Sequence, residues 1–130
     1  MYTKTTHGIT VTVTPGFLED QSEPAEGRYV WAYHVRIANE GRQTVQLLSR
    51  HWRITDASGR CHEVRGPGVV GEQPVLGPGQ AFEYTSGTPL ATPSGFMAGS
   101  YEMESERGET FQVEIPAFSL DSPHQRGKIN

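Results

Sequence analysis

Between Arg28 and Asn39 the side chains alternate with a period of two. Tyr29, Trp31, Tyr33, Val35 and Ile37 fall on one face, and Val30, Ala32, His34, Arg36 and Ala38 on the other. A helix would scatter the five large groups around its axis, whereas a strand gathers them on one side. Aromatic and β-branched residues in that order suit a central strand packed on a core. Ile9, Val11 and Val13 repeat the pattern, as do Phe111, Val113 and Ile115. Similar runs occupy 44–55, 60–65, 81–86 and 97–105, separated by turn residues. Fifteen glycines and nine prolines supply the corners that many short strands require, because glycine reaches positive φ and proline fixes φ. The expectation is an all-β immunoglobulin- or fibronectin type III-like β-sandwich of about seven antiparallel strands, with no helix. A single domain spans 1–120, and the polar stretch 121–130 reads as a flexible tail.

Local expectations follow. Pro15-Gly16 ends the first strand, the acidic stretch Phe17 to Gly27 is a mobile loop, Thr88 to Gly95 is a corner, and Pro116 closes the last strand. A change of phase near Leu47-Leu48 marks a β-bulge. Asp56-Ala57-Ser58-Gly59 forms a hairpin turn that sets Arg53 opposite Glu63, Trp52 opposite Val64 and Ile54 opposite His62.

One segment pulls against an all-β reading. Gly66-Pro67-Gly68-Val69-Val70-Gly71 is a literal G-x-G-x-x-G, the pattern of dinucleotide-binding loops. That chemistry needs a helix N-terminus behind the glycines, where free N–H groups meet the pyrophosphate. Here Pro74 follows three residues after Gly71, and Gly77-Pro78-Gly79 comes soon after. A proline inside a helix costs ~3 kcal/mol and removes a donor, so no helix follows. The segment reads as turn chemistry between two strands. As an alternative, Arg65, Gly66, Gly68, Val69, Val70 and Gly71 form a candidate anion or ligand loop, in which successive N–H groups make a nest without a helix.

Charge and composition narrow the partners. The formal charge of −4 argues against a general nucleic-acid surface. No stretch approaches the ~20 apolar residues of a membrane span, and the polar start of the chain is no signal peptide. The lone Cys61 fits a reducing, cytoplasmic setting. His7, His34, His51, His62 and His124 form no ligand pair at metal-binding spacing. Cys61 and Glu63 share a strand face at best, short of the three or four convergent ligands a zinc-type site wants. No nucleophilic constellation is visible, so neither a catalytic residue, a metal site nor a cofactor is expected. A monomer or weak dimer is expected.

Several segments together resemble the ApaG family of small bacterial proteins. They are Tyr33-His34-Val35-Arg36-Ile37-Ala38-Asn39, Ser49-Arg50-His51-Trp52-Arg53-Ile54-Thr55-Asp56, Val64 through Pro74, Pro78 through Ser86, Thr92 through Met97, and Gly99-Ser100-Tyr101. The resemblance covers roughly residues 5–118. It implies a fibronectin type III-like sandwich and an association with cobalt resistance and magnesium efflux. It also implies a protein-interaction role for domains of this kind, and maps a suggested pyrophosphate-binding element onto Gly66, Gly68 and Gly71. It supplies no catalytic residues. The leading expectation is a non-enzymatic cytoplasmic module that binds another protein. The alternatives are nucleotide or pyrophosphate binding at Gly66–Gly71, and divalent-cation binding.

Overall fold

The computed structural model describes residues 1–124. Among the described residues nine strands run in the order β1 (Tyr2–Thr6), β2 (Ile9–Phe17), β3 (Tyr29–Asn39), β4 (Val45–Asp56), β5 (Cys61–Pro67), β6 (Val75–Leu76), β7 (Ala81–Leu90), β8 (Gly95–Ser105) and β9 (Thr110–Leu120). They form two antiparallel sheets, ordered β1-β2-β3-β7 and β5-β4-β8-β9, with β6 added to β4. The expected sandwich is therefore present. The two strands beyond the expected seven are β1 and β6, neither of which carries the alternation of large apolar residues that marks the others.

The core lies between the sheets. Val11, Val13, Val35, Ile37, Met97, Tyr101, Met103, Val113 and Leu120 have no measurable exposure. Trp31, Tyr33, Val35 and Ile37 are buried as their shared parity requires. A bulge on β4 between Leu47 and Ser49 accounts for the change of phase there. The β4–β5 register sets Arg53 against Glu63, Trp52 against Val64 and Ile54 against His62.

Both prolines expected to end strands lie within them. Pro15 pairs with Tyr33, and β2 continues to Phe17. The pairing of β1 reaches only as far as Val13, so the far edge of β2 is open at Pro15 and no ladder donor is lost there. Pro116 falls where β9 shifts register against β8, between the Ile115 and Phe118 pairings. A bulge accommodates the missing N–H, and the strand runs on to Leu120.

The expected corner at 88–95 also shrinks, because β7 extends to Leu90 and β8 begins at Gly95. The acidic stretch after Phe17 holds two short 3-10 turns, Glu19–Gln21 and Pro24–Glu26. It is anchored by buried Ser22, whose hydroxyl donates to the Leu18 carbonyl at 2.7 Å and accepts from Val30 N–H at 2.9 Å. Of the expected tail, residues 125–130 lie outside the described residues. Asp121 and Ser122 are tied to the sandwich: Trp31 Nε1 donates to the Asp121 carbonyl, and Ser122 Oγ to the Pro93 carbonyl.

The flanks of the sandwich differ. On one side β9 packs along β1 and β2. It is fastened there by a Lys4–Glu114 ion pair, a Glu114 N–H to Thr6 Oγ1 bond, and Phe118 against the Tyr2 ring. On the other side the edge strands β5 and β7 stand apart, with a cavity between them.

Candidate functional site

The cavity on the open flank has a volume of about 720 Å³, within the range of small-molecule sites. Strand periodicity explains why it exists. The inward positions of β7 are Phe82, Tyr84, Ser86, Thr88 and Leu90, read from their alternating burial. Ser86 and Thr88 are small where the equivalent positions elsewhere are Val, Ile or Phe. Opposite them β5 offers Val64, and Gly66 lies against the Arg50 guanidinium. Two thin walls leave the interior unfilled, and the buried Tyr33, Trp52 and Tyr84 line it.

Arg50 lies at this floor. Counted in twos from the inward-facing Trp52 and Ile54, it occupies an inward position, and it pairs across the sheet with buried Tyr101. It is half-buried, and its Nη1 donates to the carbonyls of Pro67 at 3.1 Å and Gly68 at 3.0 Å. Among the described residues no carboxylate pairs with it. Tyr84 and Tyr101 share a hydroxyl–hydroxyl bond of 2.5 Å beside it. Burial pushes the phenol pKa values of Tyr33, Tyr84 and Tyr101 above the usual phenol range, and the charge of Arg50 only partly offsets that effect. All three hydroxyls therefore remain protonated at neutral pH.

The glycine-rich segment forms one end of the cavity. Val69 and Glu72 exchange backbone hydrogen bonds of 2.8 Å in both directions. Between them Val70 has φ +43° and Gly71 φ +80°, the two positive angles of a type I′ turn. The N–H of Gly68 donates to the Leu48 carbonyl, on the β4 bulge, at 2.8 Å. Gln73 Nε2 reaches the same carbonyl. The amides of Gly68, Val69 and Glu72 are thus occupied by the turn and its anchor, and Pro67 has none to offer.

Each glycine has a reason to be there, steric at Gly66 and Gly68 and conformational at Gly71. A Cβ on Gly66 would come within 3.1–3.3 Å of the Arg50 guanidinium, and one on Gly68 would lie 2.2 Å from the Glu72 carbonyl oxygen. Gly71 satisfies the turn. A side chain at Gly68 therefore disrupts the loop itself, whatever the loop binds.

The structure divides the residues singled out in the sequence. Val69 is buried in the core and Val70 is 57% exposed at the cavity mouth. Arg65 lies on the outer face of β5, exposed and paired with Glu63 at 3.4 Å, away from Val69 and Val70. Glu63 also pairs with His51 at 2.6 Å, and these two bonds hold its carboxyl below the usual range, His51 contributing most. His34 bonds Thr85 and Glu83 on the outside of the other sheet, and His124 reaches Glu19. Cys61 and His62 lie on the cavity rim. Among the described residues no group of three His, Cys, Asp or Glu side chains is placed to hold a metal ion. Arg50 and the tyrosines were passed over as site residues. The signal was the parity of Arg50 with Trp52 and Ile54, a charge on the apolar face of a strand.

Fold and cavity together define a fibronectin type III-like β-sandwich with a cleft along one open flank. The chain belongs to the ApaG family: the ApaG domain model matches residues 19–105. Protein ApaG of Rhodospirillum centenum is 68% identical and that of Paramagnetospirillum magneticum 65%, each over the full length of both chains. The solved structure of the ApaA protein from Bordetella pertussis is 52% identical, with a TM-score of 0.87 over 90% of this chain and 95% of that one. A structural-genomics target of 47% identity gives 0.84 over 90% and 89%. No helix among the described residues is long and apolar enough to cross a membrane.

Proposed function

We propose that the chain is a non-enzymatic binding module whose working surface is the open flank, from Val69 and Val70 across Arg50 to Ser86–Thr88. The observation that carries this reading is a half-buried guanidinium on the floor of a 720 Å³ cleft, without a carboxylate partner among the described residues. Apolar walls with a few convergent polar groups are the ordinary make-up of a ligand site. The floor groups are an arginine and the protonated phenols of Tyr33 and Tyr84 rather than a nucleophile beside a base, which supports binding over turnover. A cytoplasmic protein partner, and a link to cobalt resistance and magnesium efflux, belong to the proposal on the strength of the family resemblance.

The test is amide NMR mapping of labelled protein with phenol and 2-propanol as small probes. Saturable shifts are expected at Val64, Val69, Val70, Ser86, Gly87 and Thr88. Shifts that avoid those residues would move the site elsewhere. Hydrolysis of ATP, diadenosine tetraphosphate or pyrophosphate, abolished by a single side-chain change, would refute the non-enzymatic reading.

A further inference from the structure

We infer that the cleft recognises an organic anion with a flat apolar body, and that Arg50 holds its oxyanion. This rests on the open flank being the binding surface. The two bonds that fix Arg50 both use Nη1, to the Pro67 and Gly68 carbonyls. Its Nε and Nη2 atoms have no acceptor among the described residues. Neither is a sealed, unsatisfied atom, since no buried side-chain nitrogen or oxygen lacks a partner there. They therefore reach solvent, at the end of the cleft where Arg50 also borders the shallow depression of Ser49, His51, Arg65 and Gly66, and Nε and Nη2 form the side-on edge of the guanidinium, the fork that takes a carboxylate with two parallel bonds.

The loop leaves that edge free. Its carbonyls grip the opposite corner of the guanidinium, and Gly66 lacks the Cβ that would press on the plane at 3.1–3.3 Å. A half-buried cation without a counter-ion has lost hydration that no internal charge returns, so an external anion is rewarded there more than at the surface. The local balance of charge agrees. Arg60 joins Arg50 along the cleft, and Asp56 is already engaged by Ser58 and by the backbone N–H of Arg60. The walls beside Arg50 are Trp52, Val64, Val69 and Tyr84, which suit an aromatic or planar body rather than a bare inorganic ion.

The experiment uses two dyes that share a skeleton: 8-anilinonaphthalene-1-sulfonate, which carries an oxyanion, and N-phenyl-1-naphthylamine, which does not. Fluorescence titration of the full chain is expected to show the anionic dye binding at least tenfold more tightly. Arg50→Met should cut that preference to about twofold, and Arg50→Lys should fall between, because it keeps the charge and loses the fork. Wild-type protein alone gives a second readout. 3-Phenylpropanoate should displace the anionic dye at concentrations where 3-phenylpropanol and inorganic pyrophosphate do not. Equal binding of the two dyes by the wild type would overturn the oxyanion inference and leave the cleft standing. Binding of neither dye would overturn the cleft, and the inference with it. Displacement by pyrophosphate as readily as by phenylpropanoate would overturn the apolar half of the ligand class.

Discussion

The two flanks of this sandwich use the same strand geometry to opposite ends. Where β9 covers β1 and β2, inward positions hold Ile9, Val11, Val13, Val113, Ile115 and Phe118, all at most 3% exposed. Where β5 and β7 face each other, the inward positions include Ser86, Thr88 and Arg50, and the sheets stay parted. Strand period does not separate the two. The difference is side-chain volume at a few positions, together with one cation that cannot be closed over. A sandwich can thus carry a cleft without an added loop or lid, by under-filling one edge of its own core.

Truncations of similar chemistry should separate the flanks most strongly. Phe118 meets the rings of Tyr2, Tyr33 and Trp52 at centroid distances of 6.0, 5.9 and 6.0 Å. Phe118→Ala should cost about 3–5 kcal/mol in urea unfolding, the range for a large core aromatic. Leu90→Ala, on the cleft wall, should cost about 1 kcal/mol, because water already reaches the space it would vacate. Equal losses would show that the open flank closes in solution and would remove the contrast.

The loop at the cleft mouth should respond next. Gly68 has φ +61° and its missing Cβ would sit 2.2 Å from a backbone oxygen. Gly68→Ala should destabilise by about 3 kcal/mol, combining the left-handed penalty with the clash. It should shift amides from residues 66 to 73 and loosen the grip of the loop on Arg50. A loss below about 1 kcal/mol would mean that the turn relaxes freely and does not position the guanidinium.

A smaller effect is expected at the tyrosine pair. Tyr84→Phe leaves the fully buried Tyr101 hydroxyl without its partner, at a cost of about 1–2 kcal/mol. The double change Tyr84→Phe with Tyr101→Phe should cost less than the sum of the two single changes, since no orphan remains. Strict additivity in that cycle would show the bond to be energetically idle.

These features differ in how openly the sequence carried them. Alternation in β2, β3 and β9 announced strands because each buries one face, and the Trp52–Val64 register followed from turn chemistry at Asp56–Gly59. Pro15 and Pro116 misled, because a proline ends a strand only where a neighbour needs its N–H. Pro15 has an open edge beside it, and Pro116 a bulge. In the glycine-rich segment the absence of a following helix was legible from Pro74. The real task of its carbonyls, holding Arg50, was not, since that contact joins residues 17 and 18 positions apart. Arg65 drew attention by adjacency, yet alternation turns it to the outer face. Arg50 was legible by parity, since it follows the bulge between Leu47 and Ser49 and shares a face with Trp52 and Ile54, but its acceptors on the loop were not.

The finest comparison is between two turns of one shape on opposite parts of the molecule. His7 and Gly8, joining β1 to β2, have φ of +50° and +79°. Val70 and Gly71, at the cleft mouth, have +43° and +80°. Histidine tolerates the left-handed region better than most side chains, whereas a β-branched residue there is an outlier. Such strain costs of order 1 kcal/mol or more and persists where the surrounding structure imposes it. Val70 spends its side chain at 57% exposure on the cavity lining, so folding alone gives little reason for valine. Val70→Asn should therefore stabilise the protein by about 1 kcal/mol, because asparagine suits the first position of a type I′ turn. The same change should weaken neutral-dye binding about twofold by removing part of the apolar mouth. His7→Val, placing the same strain in the other turn, should destabilise by a similar amount and leave the dye untouched. If Val70→Asn gains stability and keeps full affinity, the strained valine serves neither folding nor the cleft, and the mouth must be redrawn without it.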